Sequence, residues 1–348
     1  MEDSLKNYLE EWVPRIDEEM YQFLPTEKDP VEFLYAPMRD YPERGGKRFR
    51  SALVLLGIEA FGGDPTVGLR TAAAFELFQS FALVHDDIED GSEMRRGKPC
   101  LHHLHGIPLS INVGDALYSK VFEILQANRE LLGETITLDL LQEMILGAQM
   151  TFEGQAFDIG WIESEEIPDV DAFVEMLRRK TGWYSGRGPC TMGAIIAGAN
   201  EELRQAIGDF GEAMAVAFQI RDDLLNLVIE EGDATTAPTT TSGGYGKERG
   251  GDIAEGKRTL MVIDLLNQCT QEENKKVRGI LDRDRDETTQ DDIEWVIELM
   301  MSYGAIKKAQ QACQTRAESA EARLAYLPPS DSREVLREMC SFLVERVF

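Results

Sequence analysis

Apolar residues return at every third or fourth position along most of the chain, as at Leu53, Leu56 and Ala60 or Leu140, Met144, Gly147 and Met150. Strict alternation hardly occurs, so the period is helical. It predicts helices near 4–24, 30–40, 47–62, 65–91, 110–131, 134–160, 169–184, 187–199 and 201–230, then near 258–269, 272–283, 289–302, 304–326 and 330–347. Stop signals agree with these limits at Gly62-Gly63-Asp64-Pro65, Gly106-Ile107-Pro108 and Leu327-Pro328-Pro329-Ser330. No internal repeat or linker separates two cores, so residues 1–348 are expected to form one large all-α domain. One stretch differs: residues 233–251, DATTAPTTTSGGYGKERGG, are rich in threonine and glycine. They bury too little apolar surface to order themselves and read as a flexible loop.

Composition narrows the classes. At 348 residues and 43% apolar content the chain can build a sizeable core. Asp and Glu total 63 against 36 Lys and Arg, and a net charge of -27 argues against non-specific binding to nucleic acid or anionic lipid. Arginines outnumber lysines 24 to 12, which with the acidic excess would suit a high-salt cytoplasm. The five cysteines, Cys100, Cys190, Cys269, Cys313 and Cys340, form no C-x-x-C pair and suggest neither disulfides nor zinc. The N-terminal stretch is acidic and amphipathic, and no run approaches the ~18 apolar residues of a membrane span. A cytoplasmic protein without a transmembrane segment is expected.

Chemistry enters where apolar helices end in acid. After AAAFELFQSFAL comes VHDDIEDGSEMRRGKP, with Asp86 and Asp90 one turn apart on one helix face and Asp87 about 100° around. Carboxylates so placed repel, and the penalty grows where neighbours exclude water. A divalent cation reverses the sign, and magnesium takes one or two carboxylates while leaving positions for water and phosphate oxygens. A lone DDxxD is as readily a solvated helix end. The pattern recurs, however, at Asp222 and Asp223 after GEAMAVAFQIR, which makes a metal site shared by facing helices the better explanation.

Cations accompany the acids: Lys47 and Arg50 in ERGGKRFR, Arg95 and Arg96, Lys180 in RRKTGWYS, and Lys247 and Lys257 in GKERGGDIAEGKR. Adjacent glycines let backbone N–H groups approach an anion. Carboxylates, magnesium, arginine and lysine together describe a diphosphate site. The four histidines, His85, His102, His103 and His105, are too clustered for a His-Asp phosphohydrolase, which needs histidines spread along the chain. An allylic diphosphate needs no side-chain nucleophile: metal and cationic charge let it ionise, an alkene attacks the carbocation, and the released diphosphate takes the proton.

These residues resemble the trans-isoprenyl diphosphate synthases, or polyprenyl synthetases, over roughly residues 30–348. The matching motifs are Gly45-Gly46-Lys47-Arg48-Phe49-Arg50, Asp86-Asp87-Ile88-Glu89-Asp90 with Arg95-Arg96-Gly97, Lys180-Thr181, Gln219 through Asn226, and Gly246-Lys247 through Gly256-Lys257. The resemblance implies an all-α bundle around a central active-site cavity, several magnesium ions, and a homodimer. It implies that Asp86, Asp90 and Asp222 bind metal, supported by Asp87 and Asp223. Arg95, Lys180, Thr181, Gln219, Lys247 and Lys257 would hold the allylic diphosphate. Lys47, Arg50, Gln79 and Arg96 would hold isopentenyl diphosphate, with Arg346 closing over it, and Gln155 and Asp158 would form a polar pair in mid-cavity. Two departures stand out: Asn226 replaces a frequent third aspartate, and the loop before Lys247 is long.

By the same resemblance the product grows down a tunnel beside the first-motif helix. Phe81, five positions before Asp86, and Phe78 would form its floor, and with the small Ala82 between Phe81 and the motif the pattern is more like geranylgeranyl than farnesyl diphosphate synthases. A farnesyl (C15) or C25 product is the alternative. Outside this activity, a non-catalytic partner subunit would have lost metal ligands that this chain keeps, and a terpene cyclase would lack the set Lys47, Arg50, Arg95 and Arg96.

Overall fold

The computed structural model describes residues 3–228 and 249–345. Its helices are α1 Asp3–Gln22, α2 Ala36–Glu43, α3 Phe49–Glu59, α4 Leu69–Glu89, α5 Leu101–His105, α6 Ile107–Ala127, α7 Arg129–Glu163 and α8 Val170–Leu177. There follow α9 Gly188–Ile196, α10 Glu201–Val228, α11 Gly251–Ala254, α12 Leu260–Leu266, α13 Gln271–Leu281, α14 Gln290–Ser302, α15 Ala305–Arg323 and α16 Asp331–Glu345. The all-α expectation holds. Among the described residues the strands are one small antiparallel hairpin, Met94–Arg95 with Lys98–Pro99.

Apolar period explains which helices lie deepest. In α3 every residue from Ser51 to Ile58 is buried, and its two sides feed different parts of the core. Leu53 and Leu56 pack with α10, α12, α14, α15 and α16, whereas Val54, Leu55 and Ile58 pack with α1, α4, α6 and α7. Helix α4 is likewise buried on every side from Thr71 to Phe78, as a helix at the centre of a bundle should be. With its preceding turn it is long and apolar enough, over Pro65–Glu89, to cross a membrane, although the sequence suggested no such run; 67% of that window is buried inside the protein.

Three elements depart from expectation. The predicted helix 169–184 continues past α8 as a π-helical segment, Arg178–Arg187, which leads directly into α9. The hairpin and α5 fall between the predicted helices 65–91 and 110–131, where no element was expected. Arg44 pins the hairpin, donating to the carbonyls of Arg95 and Pro99 at 2.8 Å each. The loop expected over 233–251 is fixed at its end: Arg249 Nε donates to the carbonyl of Leu227 at 3.0 Å, and Gly250 N to that of Asn226 at 2.8 Å. Residues 233–248 lie outside the described residues.

Close helix packing depends on glycine at the π segment. A Cβ on Gly186 would stand 1.9 Å from the carbonyl oxygen of Gly211 in α10. Gly186→Ala is therefore expected to lose at least ~1–3 kcal/mol, as overpacking does, in a denaturant melt. Gly279→Ala, inside α13 with nothing within 4 Å of the new methyl, should instead be neutral or stabilising by up to ~1 kcal/mol.

Candidate active site

The first acidic motif closes α4, and its three aspartates meet three different fates. Asp87 is wholly buried. Its carboxylate accepts from Tyr41 Oη at 2.5 Å and from Arg95 Nε at 2.9 Å, and also from Arg95 Nη2. Burial and the adjacent Asp87 push the Tyr41 phenol well above its usual range, so it stays a donor. The carboxylate oxygens of Asp87, predicted to support the metal-binding aspartates, are thus taken up by Tyr41 and Arg95, and in this structure Asp87 holds Arg95. Arg95 in turn lies 3.8 Å from Asp86.

Asp90 and Asp86 face lysines. Lys257 Nζ stands 2.5 Å from Asp90 and 3.8 Å from Glu255. Lys180 Nζ stands 2.6 Å from Asp158 and 3.5 Å from Asp86. Burial alone would strip the protons from both lysines, but Asp90 and Asp86 around Lys257, and Asp158 around Lys180, hold each ammonium above its usual range. Burial pushes the Asp90 carboxyl up, and the Lys257 ammonium at 2.5 Å acts against that rise. Asp158 is held below its usual range: burial opposes this, and Lys180 and Lys257 overcome it. Gln155 Nε2 donates to Glu89 at 2.6 Å and Asp86 at 3.3 Å, which ties α7 to the first motif. Gly154 permits this approach, because a Cβ there would lie 2.1 Å from the backbone nitrogen of Lys180.

The second motif lies in the last turns of α10. Gln219 Nε2 donates to Asp223 at 3.0 Å, and Gln219 Oε1 accepts from Thr181 Oγ1 at 3.2 Å, linking the π segment to the motif. Burial, then the charge of Asp252, pushes the Asp223 carboxyl up to about 8, with Asp222 and Asp158 adding to it. Asp158 therefore stands between the two acidic groups. Asn226, buried, accepts from the backbone N–H of Asp252 at 3.1 Å, while its Nδ2 has no partner among the described residues. Asp252 and Asn226 acquire these roles from the return of the chain at 249–252, which no local sequence signal announces.

Among the described residues no three carboxylate, histidine or cysteine side chains close on one point. The donors are carboxylate oxygens offered one or two at a time beside cations, a set that fits magnesium sharing its shell with water and phosphate. The raised Asp223, crowded by Asp222 and Asp252, is a group that a divalent cation would relieve.

A second cationic group gathers around the turn before α3. Arg48 and Arg96 both adopt left-handed backbone conformations, φ 55° and 52°. Arg48 is pinned by Asp17 at 2.8 Å and Glu76 at 3.1 Å. Arg96 donates to the carbonyls of Tyr41 and Gly45. Burial, then Arg48, with Arg95 and Arg50 adding, pulls the Arg96 guanidinium down to about 10, so an anion here would be welcome. Lys47 is exposed above this turn, 4.9 Å from the ring of Phe342 in α16. The side-chain oxygen of Gln79 is buried without a donor among the described residues. Exchange of its amide O and N would turn an N–H donor toward the same space. Lys247 and Arg346, both predicted site residues, lie outside the described residues.

Below the carboxylates is an aromatic layer. Phe78 and Phe81 are buried and meet edge to face at 5.3 Å. Tyr118 from α6 packs on Phe81 at 4.8 Å, and Tyr184 from the π segment on Phe78 at 5.4 Å. Neither tyrosine was singled out from sequence, since each joins the layer only through tertiary packing. His85 is wedged against α6, its Nε2 3.2 Å from the carbonyl of Ile111, which gives it a packing role rather than a catalytic one.

A helical bundle with two acidic motifs, lysines set among their carboxylates and an aromatic layer of Phe78, Phe81, Tyr118 and Tyr184 defines an isoprenoid-synthase type of protein. Residues 31–300 match the polyprenyl synthetase family model, and the chain belongs to that family as a trans-prenyltransferase. It is 33% identical to the short chain isoprenyl diphosphate synthase of Methanothermobacter thermautotrophicus, over 99% of this chain and 98% of that one. It is 29% identical to the geranylfarnesyl diphosphate synthase of Natronomonas pharaonis, over 99% of each. Its fold superposes on geranylgeranyl pyrophosphate synthetase from Pyrococcus horikoshii with a TM-score of 0.87, 33% identity and 98% of each chain covered. A geranylgeranyl pyrophosphate synthase from Corynebacterium glutamicum, solved with isoprenyl diphosphate and magnesium, superposes with a TM-score of 0.84, 27% identity and coverage of 98% and 99%.

Because Asp223 is raised in the folded protein, its contribution to stability is complete below pH ~4 and is lost as pH rises through about 8. In the chelator-treated protein, the fall in melting temperature between pH 5 and 8 should be smaller in Asp223→Asn than in wild type. An equal fall in both would contradict the assignment.

Proposed function

We propose that this protein condenses isopentenyl diphosphate with dimethylallyl, geranyl and farnesyl diphosphates to give geranylgeranyl diphosphate. The observation that carries the reading is the convergence of Asp86, Asp90 and Asp158 with Lys180 and Lys257 at the mouth of a layer formed by Phe78 and Phe81. Asp86, Asp90, Asp222 and Asp223 would hold magnesium, which when bound neutralises the departing diphosphate. Lys180, Thr181, Gln219 and Lys257, with Lys247, bind that diphosphate, and Arg95 is kept beside Asp86 by Asp87. Lys47, Arg50, Gln79 and Arg96 hold isopentenyl diphosphate so that its alkene meets the carbocation. Aromatic faces at Phe81 and Tyr118 exclude water and favour positive charge.

Chain length is read from the floor. Phe81 lies ~7.5 Å and Phe78 ~12 Å along α4 from Asp86. Beside Tyr184, which packs on Phe78, the space lined by Phe75, Met144, Trp183 and Met192 has a volume of about 10 Å³, room for one water. That favours arrest at C20 over C25. A reducing, cytoplasmic setting accords with five free thiols. Exposed Ile111, Leu138, Ile145 and Phe152 on α6 and α7 support a homodimer through that face.

Purified protein given labelled isopentenyl diphosphate, each allylic primer in turn and magnesium should yield a dominant C20 alcohol after dephosphorylation. Phe81→Ala should lengthen the product, and Asp90→Asn should lower kcat by ~10²–10³, the scale of losing a charge-stabilising group. No magnesium-dependent product from any primer would sink the reading. Sedimentation should give a dimer, and Leu138→Glu combined with Ile145→Glu should shift it toward monomer.

A further inference from the structure

Arg50 opens α3 close to the other guanidiniums, and two consecutive residues of the π segment hold it. Ser185 Oγ, buried, accepts from Arg50 Nε at 3.0 Å and Nη2 at 2.8 Å. Tyr184 takes the other side: its hydroxyl lies 3.4 Å from Nη2, and the guanidinium carbon lies 4.8 Å from its ring centroid. A buried hydroxyl accepting two guanidinium N–H groups, with an aromatic ring beside the plane, fixes an arginine that has four rotatable side-chain bonds of its own. The other side of Tyr184 meets Phe78, ring centroids 5.4 Å apart and planes at 35°. One residue therefore touches both a cation of the isopentenyl diphosphate pocket and the tunnel floor.

We propose that Ser185 and Tyr184 are positioning residues for Arg50, and that Tyr184 couples the hold on isopentenyl diphosphate to product length. The inference rests on the condensation reading above. The geometry gives the two neighbours separable duties: Ser185 contacts only the guanidinium among the described polar partners, whereas Tyr184 also supports Phe78. Loss of the serine hydroxyl frees the guanidinium but leaves the floor intact. Loss of the tyrosine ring frees both, and lets Phe78 swing into the space the ring occupied.

The test uses the full chain with magnesium, and compares wild type, Ser185→Ala, Arg50→Ala, the double variant, Tyr184→Phe and Tyr184→Leu. Ser185→Ala should raise KM for isopentenyl diphosphate roughly tenfold or more, the scale of a hydrogen bond to a charged group. KM for the allylic primer and the product ladder should stay unchanged. Added to Arg50→Ala, it should have almost no further effect, as expected of a residue acting through that arginine. Tyr184→Leu should raise the same KM and lengthen the product, while Tyr184→Phe keeps the wild-type product length. Titration of isopentenyl diphosphate alone should report the same loss of affinity in Ser185→Ala, independently of turnover.

Equal rises in both KM values, full additivity with Arg50→Ala, or an unchanged product ladder in an active Tyr184→Leu would each overturn the proposal. If Tyr184→Leu fails to fold, the Ser185 cycle and titration still decide it. A wild-type protein that makes no product would overturn the condensation reading and this inference together, and is distinguishable because every variant is read against wild type.

Discussion

The structure turns on the cost of ending a buried, largely apolar helix in three aspartates. Asp87 is wholly buried and Asp86 and Asp90 are only partly exposed, so neighbouring elements bring cations to them. Each aspartate draws in a different part of the chain. Asp87 fixes the hairpin through Arg95 and α2 through Tyr41; Asp90 takes Lys257 from beyond the second motif; Asp86 shares Lys180 with Asp158. The same requirement explains why α7 comes close enough to the π segment to need Gly154.

Much of this was legible in the chain. Helical period located the long helices, because a buried stripe is written in local spacing: the prediction of 201–230 met α10 at Glu201–Val228. Paired acids after apolar runs, and lysines beside glycines, pointed to the residues that now face one another. What was not legible depends on contacts between distant segments. Nothing in DDIED distinguishes Asp87 from its neighbours until Tyr41 and Arg95 are in place. Nothing in GGDIA predicts the short α11, which forms where Asn226 receives the backbone of Asp252. The π segment also has no spacing signature of its own, and the two tyrosines of the aromatic layer belong to helices far apart in sequence.

Charge is distributed unevenly, and residue type follows location. The surface is acidic, whereas the cations around the α3 turn are mostly arginines: Arg48 is 5% exposed, and Arg96, nearer the surface, is held by backbone carbonyls. Arginine suits such positions because it keeps its charge when buried and offers several donors in a fixed plane. Lysine is used where a compact ammonium must fit among carboxylates, at Lys180 and Lys257. A diphosphate arriving beside Lys180 and Lys257 meets partly buried ammonium groups already oriented by carboxylates.

The π segment has a topological consequence. A π turn is a local widening of an α-helix that accommodates an additional residue, and each residue added to a helix rotates everything beyond it by about 100°. Arg178–Arg187 therefore sets the angular phase of α9 relative to α8. Deleting one residue to restore regular α-helix would turn the Gly188–Ile196 face away from α3 while leaving Phe173 and Met176 seated. The irregular turn works as a phase shifter: it lets one continuous helix seat α8 and α9 in the core while the π segment between them turns Lys180 and Thr181 to the acidic motifs.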